Sequence, residues 1–383
     1  DLHSFPTRRS SDLHIDEHQD SSGDQHAAVM TFLKQGARLR IFADPMQNIF
    51  REKTLEGSYP PCNWHSLVGS AQAFESLEYP HRWDKGCRQL GHWTLKAREA
   101  LRSGGRIDLR HGLPPSVRVI YAENRARANL DYQLQPNDRK PIDAFVDAQD
   151  SLLVLTRYNK TALSIRAFFR RRIPLWEGHT RPGLDGLVQA ICAASGDRAV
   201  LASAVVTFMS EIGRGFSPSA FGRAFEREVR DGCTKARKGK VALIQSMAQC
   251  LIEDPTHRGV ARTLERLFEL KESESAFRDV QMDCYVEFRE AIRLGGFETP
   301  ESGLAEITHR RTYSRPKPPS RAISIIHKAK GLECDSVLLM PCDSKTFPAK
   351  NDSRCLLYVA LSRARKELML VLSRNDPSPL FIF

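Results

Sequence analysis

Five short aliphatic-rich runs, each followed by a polar segment, constrain the fold of this chain more than any other feature: residues 39–42, 152–155, 322–326, 336–340 and 367–372. Runs that are apolar almost throughout suit strands covered on both faces, as in a parallel sheet flanked by helices. The segments between several of these runs carry helical signals. Ser22 with Gln25 three residues on forms a capping box, Val29, Phe32 and Leu33 supply an apolar stripe, and Gly36 stops the helix. Leu90, Trp93, Thr94, Ala97 and Leu101 keep helical spacing up to Gly104 and Gly105. Further helices are expected over 160–172 and 352–366, and the Gly-, Pro- and Ser-rich residues 54–70 read as a loop. This rhythm predicts an α/β sheet with its chemistry at the carboxyl ends of the strands.

The rhythm breaks between Leu184 and about Leu294. Val200, Leu201, Ala204, Val205, Phe208 and Ile212 keep helical spacing, as do Phe221, Phe225 and Val229, and no strand alternation appears. A helical insertion is expected there, left through the stiff Arg315, Pro316, Lys317, Pro318 and Pro319.

Charge indicates the class of partner. The 383 residues carry a net +11, and three stretches hold more than that excess. Residues 157–181 sum to +6, 214–240 to +5 and 309–330 to +7, which leaves the remainder negative. Clustering of this kind is what a phosphate-backbone track requires, although Arg170, Arg171 and Arg172 also suit a helix end, where cations complement the dipole. With 41% hydrophobic residues the chain is too apolar to be largely disordered. It has no run of about eighteen apolar residues, so no membrane span is expected. Nine cysteines without a CxxC pair or a Cys/His ladder fit the reduced, buried thiols of a cytoplasmic protein, with neither a disulfide framework nor a zinc site.

Residues 1–13 stand apart. Asp1 to Leu13 match, in one frame, the translation of a common DNA-sequencing adapter, and no initiator Met is present. They are expected to lie outside the fold, with the chain continuing a longer protein.

Five motifs carry chemistry. Asp16 and Glu17 stand at an expected strand end, where one carboxylate can hold Mg²⁺ on nucleotide phosphates and the other polarise water. Together with Gln19 and Asp20 they resemble the Walker B motif of UvrD/Rep-type superfamily 1 helicases. Ala43, Asp44, Pro45, Met46, Gln47, Asn48, Ile49 and Phe50 resemble that family's Gly-Asp-x-x-Gln-x-Ile-Tyr motif. Arg82 matches the arginine of its Asn-Tyr-Arg motif. The stretch from Ile325 to Asp335, with His327, Lys328, Lys330, Gly331 and Glu333, resembles His-Lys-x-Lys-Gly-Leu-Glu, with Gly331 suited to a tight turn. The stretch from Leu356 to Lys366 resembles Tyr-Val-Ala-Leu-Thr-Arg-Ala.

The resemblance implies an α/β fold of RecA-like P-loop NTPase domains, the first incomplete, with a helical insertion in the second. Residues 14–110 would be the remainder of the first domain and a crossover, 111–183 and 321–383 the second, and 184–320 the insertion. It implies ATP and Mg²⁺ as cofactors, with Asp16 as metal ligand and Asp16, Glu17, Gln47, Arg82 and Arg363 as catalytic residues. Arg363 would act as an arginine finger, with Arg365 and Lys366 on a solvated face. Asp44, Gly331 and Glu333 would bind the nucleotide, and Phe50, His327, Lys328 and Lys330 the nucleic acid. The implied function is an ATP-dependent helicase or translocase moving 3′ to 5′ on single-stranded DNA and parting duplex DNA, with protein partners able to use the insertion. The sequence departs from the family in three places, the first being Ala43 where the family has Gly. Glu52 replaces a base-stacking aromatic, for which Phe50, Trp64 and Trp83 are alternatives, although tryptophans more often pack in the core. No Gly-x-x-x-x-Gly-Lys-[Ser/Thr] loop occurs in the 383 residues, so the chain alone is expected to be inactive, with the loop upstream. The alternative reading is a nonhydrolysing nucleic-acid-binding or assembly subunit of a repair or defence complex.

Overall fold

A computed structural model of the chain describes residues 12–50, 59–60, 62–123, 132–178, 181–314 and 317–383. The expectations placed on residues 1–11, on Glu52 and on Arg315 and Pro316 lie outside these. The chain begins with β1 (Asp12–Ile15), α1 (Gly23–Lys34), β2 (Arg38–Ile41), α2 (Trp64–Gly69) and α3 (Arg88–Arg102). Next come β3 (Ile107–Asp108), β4 (Val117–Ala122), α4 (Pro136–Asp147), β5 (Leu152–Thr156) and α5 (Asn159–Phe168). A helical stretch follows: α6 (Pro182–Ala194), α7 (Arg198–Ile212), β6 (Gly213–Arg214), α8 (Arg223–Arg230), α9 (Lys240–Glu253) and α10 (His257–Ser273). It ends with β7 (Gln281–Met282), α11 (Tyr285–Arg293) and α12 (Pro300–Ser314). The chain closes with β8 (Arg321–Ile325), β9 (Cys334–Cys342), α13 (Asn351–Leu361), β10 (Ala364–Ser373) and β11 (Phe381–Ile382). Two compact units result. One comprises residues 1–173 and 320–383, the other residues 174–319.

In the first unit a five-stranded sheet runs β4-β10-β9-β5-β8 with every pairing parallel. Every residue of β5 is buried, and β9 is buried from Ser336 to Cys342, as a parallel sheet covered by helices demands. A second, two-stranded parallel sheet pairs β1 with β2. It begins at Asp12, inside the adapter-like stretch, where main-chain pairing makes little demand on side-chain identity. The capping box of Ser22 and Gln25 is present on α1, but Phe32 and Leu33 are exposed, so the expected stripe is not a buried face. α3 buries Leu90, Trp93, Thr94, Ala97 and Leu101, the spaced set.

Helix ends differ from expectation. α5 stops at Phe168, and Arg170 and Arg171 adopt left-handed conformations (φ 49° and 59°), so the arginine run follows the helix as a turn. α13 stops at Leu361 because Ala364 already pairs with Cys334 in the sheet, and 364–366 are strand. The expected loop 54–70 contains α2.

The second unit is built on apolar faces of α6–α11, with Leu187, Leu201, Val205, Phe208, Phe225, Met247, Leu264 and Phe288 in one cluster. Val200, expected on that face, is 44% exposed. Among the described residues no helix is long and apolar enough to cross a membrane.

Candidate functional site

All of the expected site residues lie in the first unit, most of them where loops of the two sheets meet. At the carboxyl end of β1, Asp16 is exposed and its Oδ1 accepts the Glu17 N–H at 2.9 Å. Glu17 is left-handed (φ 52°), a conformation costly for a non-glycine residue and characteristic of functional turns. The Gln19 side chain donates to Glu17 Oε2, while Gln19 Oε1 accepts the Asp44 N–H at 3.0 Å. One buried amide thus joins the acidic loop to the loop after β2, using the donor and acceptor ends that only Asn and Gln offer.

Asp44 anchors that second loop. It accepts from Arg98 Nη2 at 2.7 Å, from the Met46 N–H at 3.0 Å and from Gln47 Nε2 at 3.2 Å. Burial pushes the Asp44 carboxyl up, but Arg98 and the other donors outweigh it and hold the group below its ordinary value. Asp44, expected to bind nucleotide, here orients the Gln47 side chain. Arg98 had no signal in the sequence beyond its place on α3.

Across from these acids lies the turn between β8 and β9. Gly331 sits at φ 80°, where a side chain would be strained. The Lys330 ammonium, expected to face nucleic acid, is committed instead to the acidic loop. It donates to Asp20 Oδ2 and to the Gln47 carbonyl at 2.9 Å, and lies 3.4 Å from Glu17 Oε2. Burial raises the Asp20 carboxyl, with Lys330 opposing it. Lys330 also lies 5.5 Å from the centroid of Phe50, an exposed ring whose other neighbour is His327 at 6.0 Å. Burial lowers the His327 imidazole, which favours the neutral ring. Lys328 is half-buried.

The two expected arginines are adjacent. Arg82 donates to Glu333 at 2.7 Å and to the Ser362 carbonyl at 2.7 Å, so Glu333 faces a guanidinium. Arg363 is 1% exposed, and its donors reach Val359 O, Leu332 O and Ser362 Oγ at 3.0, 3.1 and 2.8 Å. Burial and the nearby Arg82 lower its guanidinium to about 10, with Tyr358, Glu333 and Glu17 opposing. The side chain is tucked inward. Arg365 and Lys366 are partly exposed, as expected of a solvated face, and both bind Asp335. Trp83 is core, its Nε1 donating to Ala364 O at 2.8 Å, and Trp64 is half-buried.

Several cations of the basic stretches serve the fold. Arg157 binds Thr346 O, Ser353 and Asp352, and in the second unit Arg181 and Arg311 share buried Glu290. Arg223, Arg227 and Arg230 of α8 are exposed at i, i+4 and i+7, one helical face.

The carboxylate of Asp16 is a hard oxygen donor open to solvent, the type Mg²⁺ takes when phosphates and water complete its shell. The mixed α/β architecture with a mainly parallel sheet is compatible with a RecA-like helicase fold. Residues 284–375 match the family model described as the UvrD-like helicase C-terminal domain, which supports a UvrD/Rep-type helicase. The match takes in the β8–β9 turn and the α13–β10 junction, whereas the acidic loop and the Gln47 loop precede it. Nothing among curated proteins matches the chain. A helicase domain implies interaction with nucleic acid.

Proposed function

We propose that this chain supplies the acidic, amide and arginine parts of an ATP-dependent DNA helicase or translocase, which moves 3′ to 5′ on single-stranded DNA and separates duplex strands. The observation that carries the reading is the convergence of Glu17, Gln47, Arg82, Lys330 and Arg363 around the meeting of the two sheets, from five separate segments. In this reading Asp16 holds Mg²⁺ through its open carboxylate. That ion, when bound, neutralises phosphate charge and orients the ATP. Glu17 polarises the attacking water, and Asp44 holds Gln47 to sense the terminal phosphate. Arg82 and Arg363 stabilise charge on the transferred phosphoryl group, which requires Arg363 to turn outward and Lys330 to release Glu17 when nucleotide enters. Gly331 and Glu333 border the nucleotide. Phe50, His327 and Lys328 face the nucleic acid, joined by Lys330 once it is released.

The test is ATP turnover by the full-length gene product with single-stranded DNA. Glu17→Gln is expected to lower the rate on the order of 10²–10⁴-fold, the usual loss of a general base. An unchanged rate would refute the assignment. The inward Arg363 and the Lys330 clamp favour a second reading, a nonhydrolysing nucleic-acid-binding subunit. That reading predicts salt-sensitive DNA binding with no DNA-stimulated turnover.

A further inference from the structure

Three metal-ligating side chains converge beside the acidic loop, and none of them is used above. His18 is buried, and its Nε2 lies 3.0 Å from Nδ1 of His26 on α1. Cys62, just before α2, completes the group, with the three ligand atoms all within 4.8 Å of one another. Two independent features fix this arrangement. Ser21 Oγ lies 3.0 Å from His18 Nδ1, so that nitrogen is engaged and Nε2 faces the cluster. Metal-bound histidines are oriented by such a partner on the other ring nitrogen. Tyr59, three residues before Cys62, is also seated on the start of α1. The Tyr59 N–H donates to Asp24 Oδ1 at 2.9 Å, and a Cβ on Gly23 would stand 1.9 Å from the Tyr59 carbonyl oxygen.

Two imidazoles and a thiolate are the wrong donors for Mg²⁺, which prefers hard oxygen, and the right ones for zinc. We propose that His18 Nε2, His26 Nδ1 and Cys62 Sγ bind one Zn²⁺, leaving its fourth position to water. Binding releases the Cys62 thiol proton to solvent, and both histidines bind as neutral rings. The ion ties the acidic loop, the first turns of α1 and the segment before α2 together. It thereby braces the loop that presents Asp16 and Glu17.

Cobalt titration of the metal-stripped full chain tests this, with absorption as readout. The expected result is saturation at one ion per chain, with tetrahedral visible bands and a thiolate-to-cobalt charge-transfer band, all bleached by Zn²⁺. Cys62→Ser is expected to abolish the charge-transfer band. Ser21→Ala should keep it while weakening affinity by about 10–100-fold. Cys192→Ser, at an exposed thiol of the other unit, should change nothing. Absence of the band in the wild-type chain, or its survival in Cys62→Ser, would overturn the assignment.

Discussion

The two parallel sheets of the first unit are held in different ways. Strands β5, β9 and β10 pack their aliphatic side chains into a core where Val154, Leu339 and Leu370 are fully buried. β1 and β2 alternate exposed and half-buried residues, and the adjoining helix leaves Phe32 and Leu33 in solvent. Yet the smaller sheet presents Asp16, Glu17 and Gln47. Its loops are positioned by a few polar ties: Gln19 to Asp44, Arg98 to Asp44, and Lys330 to Asp20 and Gln47. Apolar burial sets the larger sheet, and charged side chains from distant segments set the smaller.

The largest effect should separate the sheets outright. Leu339→Ala opens a cavity in β9 and is expected to cost about 2–5 kcal/mol. Leu39→Ala, at a half-buried position of β2, should cost roughly 1 kcal/mol or less. Chemical denaturation of both variants checks the contrast, and equal losses would break it.

Next comes the tie that holds Gln47. Arg98→Ala leaves the largely buried Asp44 carboxylate without its strongest donor, at an expected cost of about 1–3 kcal/mol. The sign with pH follows from the depressed folded value of Asp44. Its stabilising contribution is complete above the ordinary carboxylate pKa of 3.8 and is lost as pH falls through the lower folded value. The gap between wild type and variant should therefore be widest near neutrality and close in acid, as stability measured across pH would show.

Lys330→Met should show the same trend with pH, although Asp20 itself titrates with the opposite sign to Asp44. Burial already raises Asp20, so its contribution is present in acid and is lost as pH rises through the raised folded value. Removing the ammonium should raise that value further and cost roughly 1 kcal/mol at neutral pH. Hydrogen exchange should quicken at 16–20 and 44–48 while β5 and β9 stay protected. Uniform quickening would show that the small sheet has no separate tether.

Legibility in the sequence followed the same division. The aliphatic runs, the spaced face of α3, the cap of α1 and the turn at Gly331 were readable because each depends on neighbours within a few residues. The ends of α5 and α13 were not, because Arg170, Arg171, Arg365 and Lys366 suit a helix locally and sheet pairing or turning overrides that preference. The motif residues Asp16, Glu17, Gln47 and Arg82 could be singled out; Lys330 links Glu17 with Gln47, and Arg82 binds Glu333 at the end of the same β8–β9 turn. The partners of Lys330 and the inward turn of Arg363 could not be foreseen. A guanidinium satisfied by two carbonyls and a hydroxyl leaves no mark in the sequence. Nor do His18, His26 and Cys62, whose spacing matches no ligand ladder.

The smallest effect probes a tie that does not hold the small sheet. Asp335 gathers Arg365 and Lys366 at the start of β10, and all three side chains are at least a quarter exposed. The Lys366 bond is the main cause holding the Asp335 carboxyl below its ordinary value, with Arg365 adding to it. Solvent screening limits such pairs to roughly 0.2–1 kcal/mol, so Asp335→Asn should barely move the unfolding midpoint, and added salt should shrink even that. The neighbouring pairing of Ala364 with Cys334 is main-chain and should survive. If Asp335→Asn instead loosened the acidic loop as much as Lys330→Met, polar ties would matter equally in both sheets. The contrast between a core-held and a charge-held sheet would then fail.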